Sequence, residues 1–491
     1  MKLRPAAFLC GIACVVILTL PGYGQRLRGQ AVSYSNFGYI YSVTASLNTV
    51  YYATTEGVIR YDKLNREWLK PLTGVEGLID EVPNRLWVDK FDKKLFGEVN
   101  GSYYEYDTFF ERWQSLIELP AIDRIDRRVG TPQVLLPTFD ANYMGQGRFV
   151  DLIGRNFDVS DVVDDDNGNY WIGTWGFGPA MAGKASTLMD LLPYGLLQQR
   201  VSTFLQEDTL IWMSGAVGNE LRTGITGFAP ESNSFIQVET GLDHSIPAED
   251  INCLEGDEER LYIGTPLGLY SLERNTWITR GPTSSRNGLI DDNVLALERD
   301  DSSLYVGTAS GLNLVDLVSD SVYQIESGTF YGQIIYDLHL VGDDLWIGAQ
   351  EGAYRYNVNS RKLQKFNDPD QVLYTGVYKI VSHDNQLWCS SDGGVVNLDL
   401  STGSTYAYRD ALSRGDNRAL AANESIVAFA SRRGMSLLFI EEDKPFTREF
   451  GVTEGLASEN VFSLLLDGDY IWIGTDRGVT LFLWNNPGRV D

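Results

Sequence analysis

Histidine is scarce in this 491-residue chain, with three copies at positions 244, 339 and 383 and no two in one local motif. Neither H-E-x-x-H, G-x-S-x-G nor C-x-x-C occurs, so the common signatures of metallohydrolase, serine-hydrolase and thiol-redox chemistry are missing. Cysteine is nearly as rare. Two of the four lie within the first 24 residues, and Cys253 and Cys389 fall three repeat units apart, which favours two buried thiols over a disulfide. Positive charge is short as well: 40 Lys and Arg stand against 66 Asp and Glu, a formal charge of −26. So acidic a chain is repelled by nucleic acid and by anionic membrane surfaces. Its partner is expected to be neutral, cationic or another protein.

Long apolar runs are absent with one exception. Lys2 and Arg4 precede an apolar run from Pro5 to Leu20, followed by Pro21-Gly22-Tyr23-Gly24. That is the layout of a cleaved export signal, residues 1–24, with the mature chain beginning at Gln25. Cleavage takes the formal charge from −26 to −28. No other run is long enough to span a bilayer, so no integral membrane segment is expected after cleavage. The expected location is periplasmic or extracellular, and Cys14 sits in a poor context for lipidation because the apolar run continues past it.

What the chain does have is a repeat. "IWIGTDRGVTLF" from Ile471 has relatives in "LYIGTPLGLYSL" from Leu261, "LYVGTASGLNLV" from Leu304, "LWIGAQEGAYRY" from Leu345 and "LWCSSDGGVVNL" from Leu387. Weaker copies bring the count to ten units, anchored at Tyr51, Leu95, Trp171, Trp212, Tyr262, Tyr305, Trp346, Trp388, Ala428 and Trp472. A period near 42 residues with strand-type alternation fits four-stranded propeller blades. Two residues after each anchor, on the same face, the side chain is always small, as close approach by a neighbouring blade requires. The last unit stops after its third strand, and "AVSYSNF" (Ala31 to Phe37) is expected to supply the fourth and close the structure. The reading is therefore all-β, a propeller over 25–491 with an insertion near 115–155. One ring of ten blades is the direct count, and an eight-bladed ring with two N-terminal units set apart is the alternative.

The stretches "GLIDDNVLALERDDSSLYVGTASGL" and "GLASENVFSLLLDGDYIWIGTDRGV" resemble the two-component regulator propeller repeats of bacterial sensors. The resemblance covers most of residues 31–485. It implies an extracytoplasmic ligand- or partner-binding module, akin to those of sensors and of secretion-system surface proteins. After Trp484 no all-β spacer, membrane helix or kinase follows, which implies a chain that does not itself signal across a membrane.

In such a fold the turns between the first and second strands of each blade (a–b turns) lie on one face, and the b–c hairpins on the other. The a–b turns are acidic, and Asp164 and Asp166 in "DDDNG" are the best calcium candidates, although Asp and Asn are also what tight turns need. The b–c tips vary while their flanks do not, so the ligand face is expected there, at Glu56, Trp175, Phe177, Gln350, Glu351, Asp392, Arg432, Arg433, Asp476 and Arg477. Trp175 stands out as a ring able to stack on a sugar or anchor a protein. No catalytic residue and no cofactor is expected. The function read from sequence is a non-catalytic binding module for a protein or carbohydrate, with a polysaccharide hydrolase or lyase as the alternative.

Overall fold

The computed structural model describes residues 31–485 apart from 74–81, 108–111, 208, 242–245, 247–249, 326, 410–418, 432 and 441–445. The expected export signal lies outside the described residues. The ten repeat units become ten sheets, nine of four strands and one of eight. They are blade 1 (40–72), blade 2 (85–116), blade 3 (127–191), blade 4 (203–239), blade 5 (253–283), blade 6 (294–325), blade 7 (335–365), blade 8 (377–408), blade 9 (420–450) and blade 10 (461–483). Blade 10 receives its outer strand d from Ala31–Tyr34, which pairs antiparallel with Gly478–Leu483 in the register Ser33 to Thr480. The expected closure by the N-terminal strand is therefore present.

The blades do not form one ring of ten, nor eight with two set apart. The innermost strands of blades 4 to 10 contact one another in order, and the strand of blade 10 returns to that of blade 4, closing a ring of seven. At that seam Ser463 Oγ donates to the Val201 carbonyl (3.1 Å) and Gln206 Nε2 to Asp467 (3.1 Å). Blades 1 to 3 form a separate fan, in which the inner strand of blade 1 packs between those of blades 2 and 3. The insertion explains the fan. Its strands Arg127–Arg128, Leu136–Pro137, Ala141–Gly145 and Arg148–Asp151 all join the sheet of blade 3. Arg128 then reaches all three inner strands, donating to Ser42 Oγ (2.7 Å), to the Leu86 carbonyl (3.2 Å) and to Asp161 (3.2 Å). A guanidinium with five donors thus does at the fan's axis what ring closure does for the other seven blades.

Blade packing follows from the repeat. A Cβ added to Gly348 would meet the Val377 carbonyl of the next blade at 2.6 Å, and one on Gly474 would meet the Val201 carbonyl at 2.4 Å. The anchor rings fill the space beside these contacts, with Trp171, Trp212, Trp346, Trp388 and Trp472 all buried. Inner strands are sheet edges, and their free amides need acceptors. Neighbouring blades supply them: Glu298 accepts from Leu340 N (2.7 Å), Asp337 from Ile380 N (2.7 Å) and Asp161 from Val43 N (2.9 Å).

Fan and ring meet through two crossing links, residues 35–39 and 192–202. Asn36 Nδ2 donates to the Leu197 carbonyl (2.7 Å) and Leu196 N to the Ser35 carbonyl (2.9 Å). Phe37 stacks on Tyr194 at 5.8 Å, Tyr194 on Trp68 at 4.5 Å, and Tyr34 packs on Phe228 at 5.0 Å. This aromatic core belongs to both units. Among the described residues no helix is long and apolar enough to cross a membrane.

Candidate functional site at the junction of fan and ring

The inner hairpin of blade 3 is longer than its counterparts, with strands Asn156–Asp164 and Asn169–Trp175, so Trp175 is carried out to the tip opposite Asp158. There its backbone bridges to Tyr39 of the first link, and Gly176 N donates to the Gly38 carbonyl (2.8 Å). The indole is 38% exposed and packs edge-on to Tyr39 (5.3 Å) and tilted to Tyr41 (5.4 Å), which is itself 43% exposed. Tyr41 is thrown outward by a bulge that shifts register between Ile40 and Ser42. Tyr39 is held from the ring side, since its hydroxyl accepts from Leu221 N (2.7 Å) in the b–c loop of blade 4.

Next to these rings lies a polar group assembled from three blades. Glu56 at the blade 1 tip faces Arg477 at the blade 10 tip, with Gln199 and Glu220 beside it. Burial pushes the Glu56 carboxyl above its usual range, and Arg477 and Gln199 pull the other way. Glu220 accepts from Gln199 N (3.0 Å) and Gly218 N (2.8 Å). Behind them Arg155 binds Asp151 (2.6 Å) and Glu239, and Arg222 binds Glu239 as well (2.7 Å). Below this surface a cleft lined by Gly38, Gly176, Phe177, Tyr194 and Arg222 has a volume of about 10 Å³, room for about one water. That cleft is too small to enclose a ligand.

The structure brings Trp175, Glu56 and Arg477 together, with Asp476 beside Arg477 in the same tip, and leaves the remaining expected residues apart. Phe177 is buried rather than displayed at the tip: it is 7% exposed and stacks on Phe157 at 3.7 Å. Phe157 follows the insertion and has no counterpart in the other units, so the repeat could not reveal that it covers Phe177. Gln350 and Glu351 are exposed on blade 7, and Glu351 lies 3.4 Å from Gln333 Nε2. Asp392 accepts from Tyr378 OH (2.9 Å), Asp476 from Asn460 Nδ2 (2.7 Å), and Arg433 lies 4.0 Å from Glu449. These sit one blade after another around the ring, and Arg432 lies outside the described residues.

The acidic a–b turns have a structural use. Asp165 accepts from Trp171 Nε1 (2.8 Å), Glu207 from Trp212 Nε1 (2.8 Å) and Asp300 from Tyr305 OH (3.2 Å), so the turn acid holds the anchor ring of its own blade. The calcium candidates are matched by the protein's own cations: Asp164 pairs with Lys184 and Arg127 (3.5 Å), and Asp166 with Arg127 (3.1 Å). Burial works against ionisation of Asp164, yet Lys184 and the Asp166 amide outweigh it and hold the carboxyl below its usual range. Both remaining cysteines are free. Cys389 is buried as expected, whereas Cys253 is half-buried on the ring's inner wall and feels the charges of Lys379 and Asp337.

Repeat reasoning missed two features. Tyr39 lies just before blade 1 and Tyr41 in its inner strand, ahead of the anchor Tyr51, where their alternation was the available signal. The inner strands of blades 5 to 8 also place Glu255, Glu298 and His339 opposite their anchors, where other blades carry Leu205, Ala421 or Leu465, and Cys253, Asp337 and Lys379 two residues earlier, where others carry Thr203 or Ser463. Aligning the strands a would have exposed these polar intrusions.

No protein-family model matches the sequence, and no curated protein matches it. Solved structures do. PorZ, a surface component of the type-IX secretion system of Porphyromonas gingivalis, is 14% identical, with 90% of this chain and 68% of that one covered and a TM-score of 0.50. The extracellular domain of BT3049 from B. thetaiotaomicron, described as a hybrid two-component system, is 16% identical over 91% of this chain and 68% of its own, with a TM-score of 0.49. That of BT4673 from the same organism is 14% identical over 92% and 71%, with a TM-score of 0.48, and a second structure of it is covered over 65% of its length. The chain thus spans about two thirds of these structures. At such identities the likeness is one of fold alone: the protein is a β-propeller.

Proposed function

We propose that this protein is an exported, non-catalytic propeller that recognises a protein partner or a glycan through its b–c face, with the fan–ring junction as the contact. The observation that carries this reading is the exposed Trp175–Tyr41 pair beside Glu56 and Arg477, where loops from four blades and two links converge. An indole and a phenol open to solvent, anchored from beneath by Tyr39, supply apolar area at little cost in side-chain entropy. The solved propellers of similar fold are surface and sensor domains, which agrees with this use. The alternative of a polysaccharide hydrolase or lyase needs a free pair of carboxyls in a cleft. At the junction Glu220 is held by backbone amides and Glu56 faces Arg477.

The test is a glycan array and a quantitative co-purification from cell envelope, each run with wild type and with Trp175→Ala and Tyr41→Ala. The reading expects one partner whose affinity falls at least about ten-fold in both variants while the circular dichroism spectrum is unchanged. Unchanged affinity would remove the junction from the site, and turnover of a bound glycan would replace the module with an enzyme.

A further inference from the structure

The axis of the seven-bladed ring is built differently from the rest of its core. In blades 6, 7, 8 and 10 the inner strand shifts register at one bulge, between Val294 and Ala296, Ile335 and Asp337, Val377 and Lys379, and Val461 and Ser463. The residues extruded are Leu295, Tyr336, Tyr378 and Phe462, all half-buried at the b–c end of the inner strands. A bulge re-aims one side chain out of the sheet, and here four blades do so at one level. The rings meet: Tyr336 and Tyr378 lie 4.9 Å apart, and Tyr378 is fixed by its bond to Asp392. Phe462 already carries a cation on its face, the Arg200 guanidinium at 3.9 Å.

Below this rim the wall becomes ionisable. Lys379 Nζ binds Asp337 (2.8 Å), which also accepts from Ile380 N, so that pair is internally satisfied. The Lys379 side chain is 40% accessible although it sits on the inner wall, so the axis admits water. Glu255 and Glu298 are different. Glu298 takes one amide from Leu340 and Glu255 takes the amide of Gly256, and among the described residues no lysine or arginine forms an ion pair with either. Their level lies three residues down the strand from the rim, about 10 Å at 3.3 Å per residue.

We propose that the axial channel of the ring binds an ammonium group on an unbranched aliphatic stem, with Tyr336 and Tyr378 walling the stem and Glu255 and Glu298 receiving the head. Aromatic faces attract a cation and its polarised methylenes, and two carboxyls that no lysine or arginine of the described residues ion-pairs supply the acceptors. A linear polyamine spans the depth from rim to floor, whereas a lysine side chain does so only if its backbone enters the mouth. The chain's charge of −26 draws such ligands in. This site is separate from the junction and does not rest on it. It also carries a proton linkage. Burial pushes the Glu298 carboxyl up to about 8, with Glu255 and Asp337 raising it and Lys379 lowering it. Cys253 and His339 are the further titratable groups on the neighbouring inner strands, and Arg299 follows it on its own. A bound ammonium competes with that proton, so affinity rises with pH until the carboxyl is ionised.

Isothermal titration with spermidine, and separately with a lysine-containing tetrapeptide and its Nε-acetylated form, tests the proposal at about 0.15 M salt, where diffuse attraction to an acidic surface is largely screened. One-to-one binding is expected, strengthening from pH 7 to 9 with release of a proton. Glu298→Gln, which still offers an acceptor to Leu340 N, and Tyr336→Ala should each weaken it at least ten-fold. Asp301→Asn, on an exposed a–b turn, should leave it within two-fold. Binding of spermidine alone names a free polyamine, and binding of the unmodified peptide names a lysine of a partner. The proposal is overturned if binding does not saturate, if the acetylated peptide binds as well, or if Glu298→Gln behaves like Asp301→Asn.

Discussion

Trp472, Gly474 and Gly478 show how much of one repeat unit is committed to packing. Gly478 opens the third strand of blade 10 at φ 117°, and an added Cβ would lie 2.2 Å from the Tyr34 carbonyl. Both the left-handed backbone and the contact exclude a side chain, so Gly478→Ala should cost roughly 2 kcal/mol or more. Gly468, in the a–b turn of the same blade, also has positive φ (56°) but open space around it, and Gly468→Ala should cost no more than about 1 kcal/mol. Urea unfolding of the two variants reads the difference, and equal losses would mean that the carbonyl contact is unimportant. At this scale the sequence was legible where the repeat spoke. The small residue after each anchor marked the blade contact, and the turn acids were visible, although their use as acceptors for Trp171, Trp212 and Tyr305 was not. The burial of Phe177 was not legible because the ring that covers it, Phe157, sits beside the insertion and follows no repeat.

The strand Ala31–Tyr34 has one neighbour in its sheet, yet it seals blade 10 and carries Tyr34 into the aromatic core shared with the fan. In an antiparallel pair alternate residues turn their amides toward the partner, so of two consecutive residues one donates to the ladder. Replacing Val32 and Ser33 together with proline therefore removes at least one ladder bond, and it also deletes the Ser33 Oγ–Thr480 Oγ1 contact (2.9 Å). A loss of about 3 kcal/mol is expected, with protease cleavage appearing first in blade 10. A variant as resistant as wild type would show that the seam is held by side-chain packing alone. The seam strand could be foreseen because the last unit lacked a fourth strand. The inner-strand bulges could not. An extra residue present in several units changes no spacing between them, so the period conceals it, and with it the rim of Tyr336 and Tyr378.

Ten blades were countable, but their division into seven and three was not. The widest gap in the repeat lies between Leu95 and Trp171, inside the fan, whereas the passage from fan to ring, Trp171 to Trp212, keeps an ordinary spacing of 41. Spacing records how far apart blades are in sequence, and closure is decided by which inner strands meet. That arrangement places Glu298 on the ring axis and gives the molecule a pH dependence. Its carboxyl stands near 8 when folded and near 4.5 when unfolded, so between those values the folded state holds the extra proton. The stability this supplies is complete below about pH 4.5 and is lost as pH rises through about 8. Glu298→Gln should be more stable than wild type by on the order of 2–4 kcal/mol at pH 9, with the gap shrinking toward pH 5. A gap independent of pH, in denaturation midpoints across that range, would refute the assignment. The seam has a further consequence, in time rather than in energy. Ser33 and Thr480 are 447 residues apart, so at ordinary rates of synthesis the first strand waits roughly 20 to 90 s for its partner to be made. The fan is translated within that interval, from residues that mostly contact one another. In every new molecule it is the older part, and it waits with one unpaired strand of an unfinished ring tethered to its side.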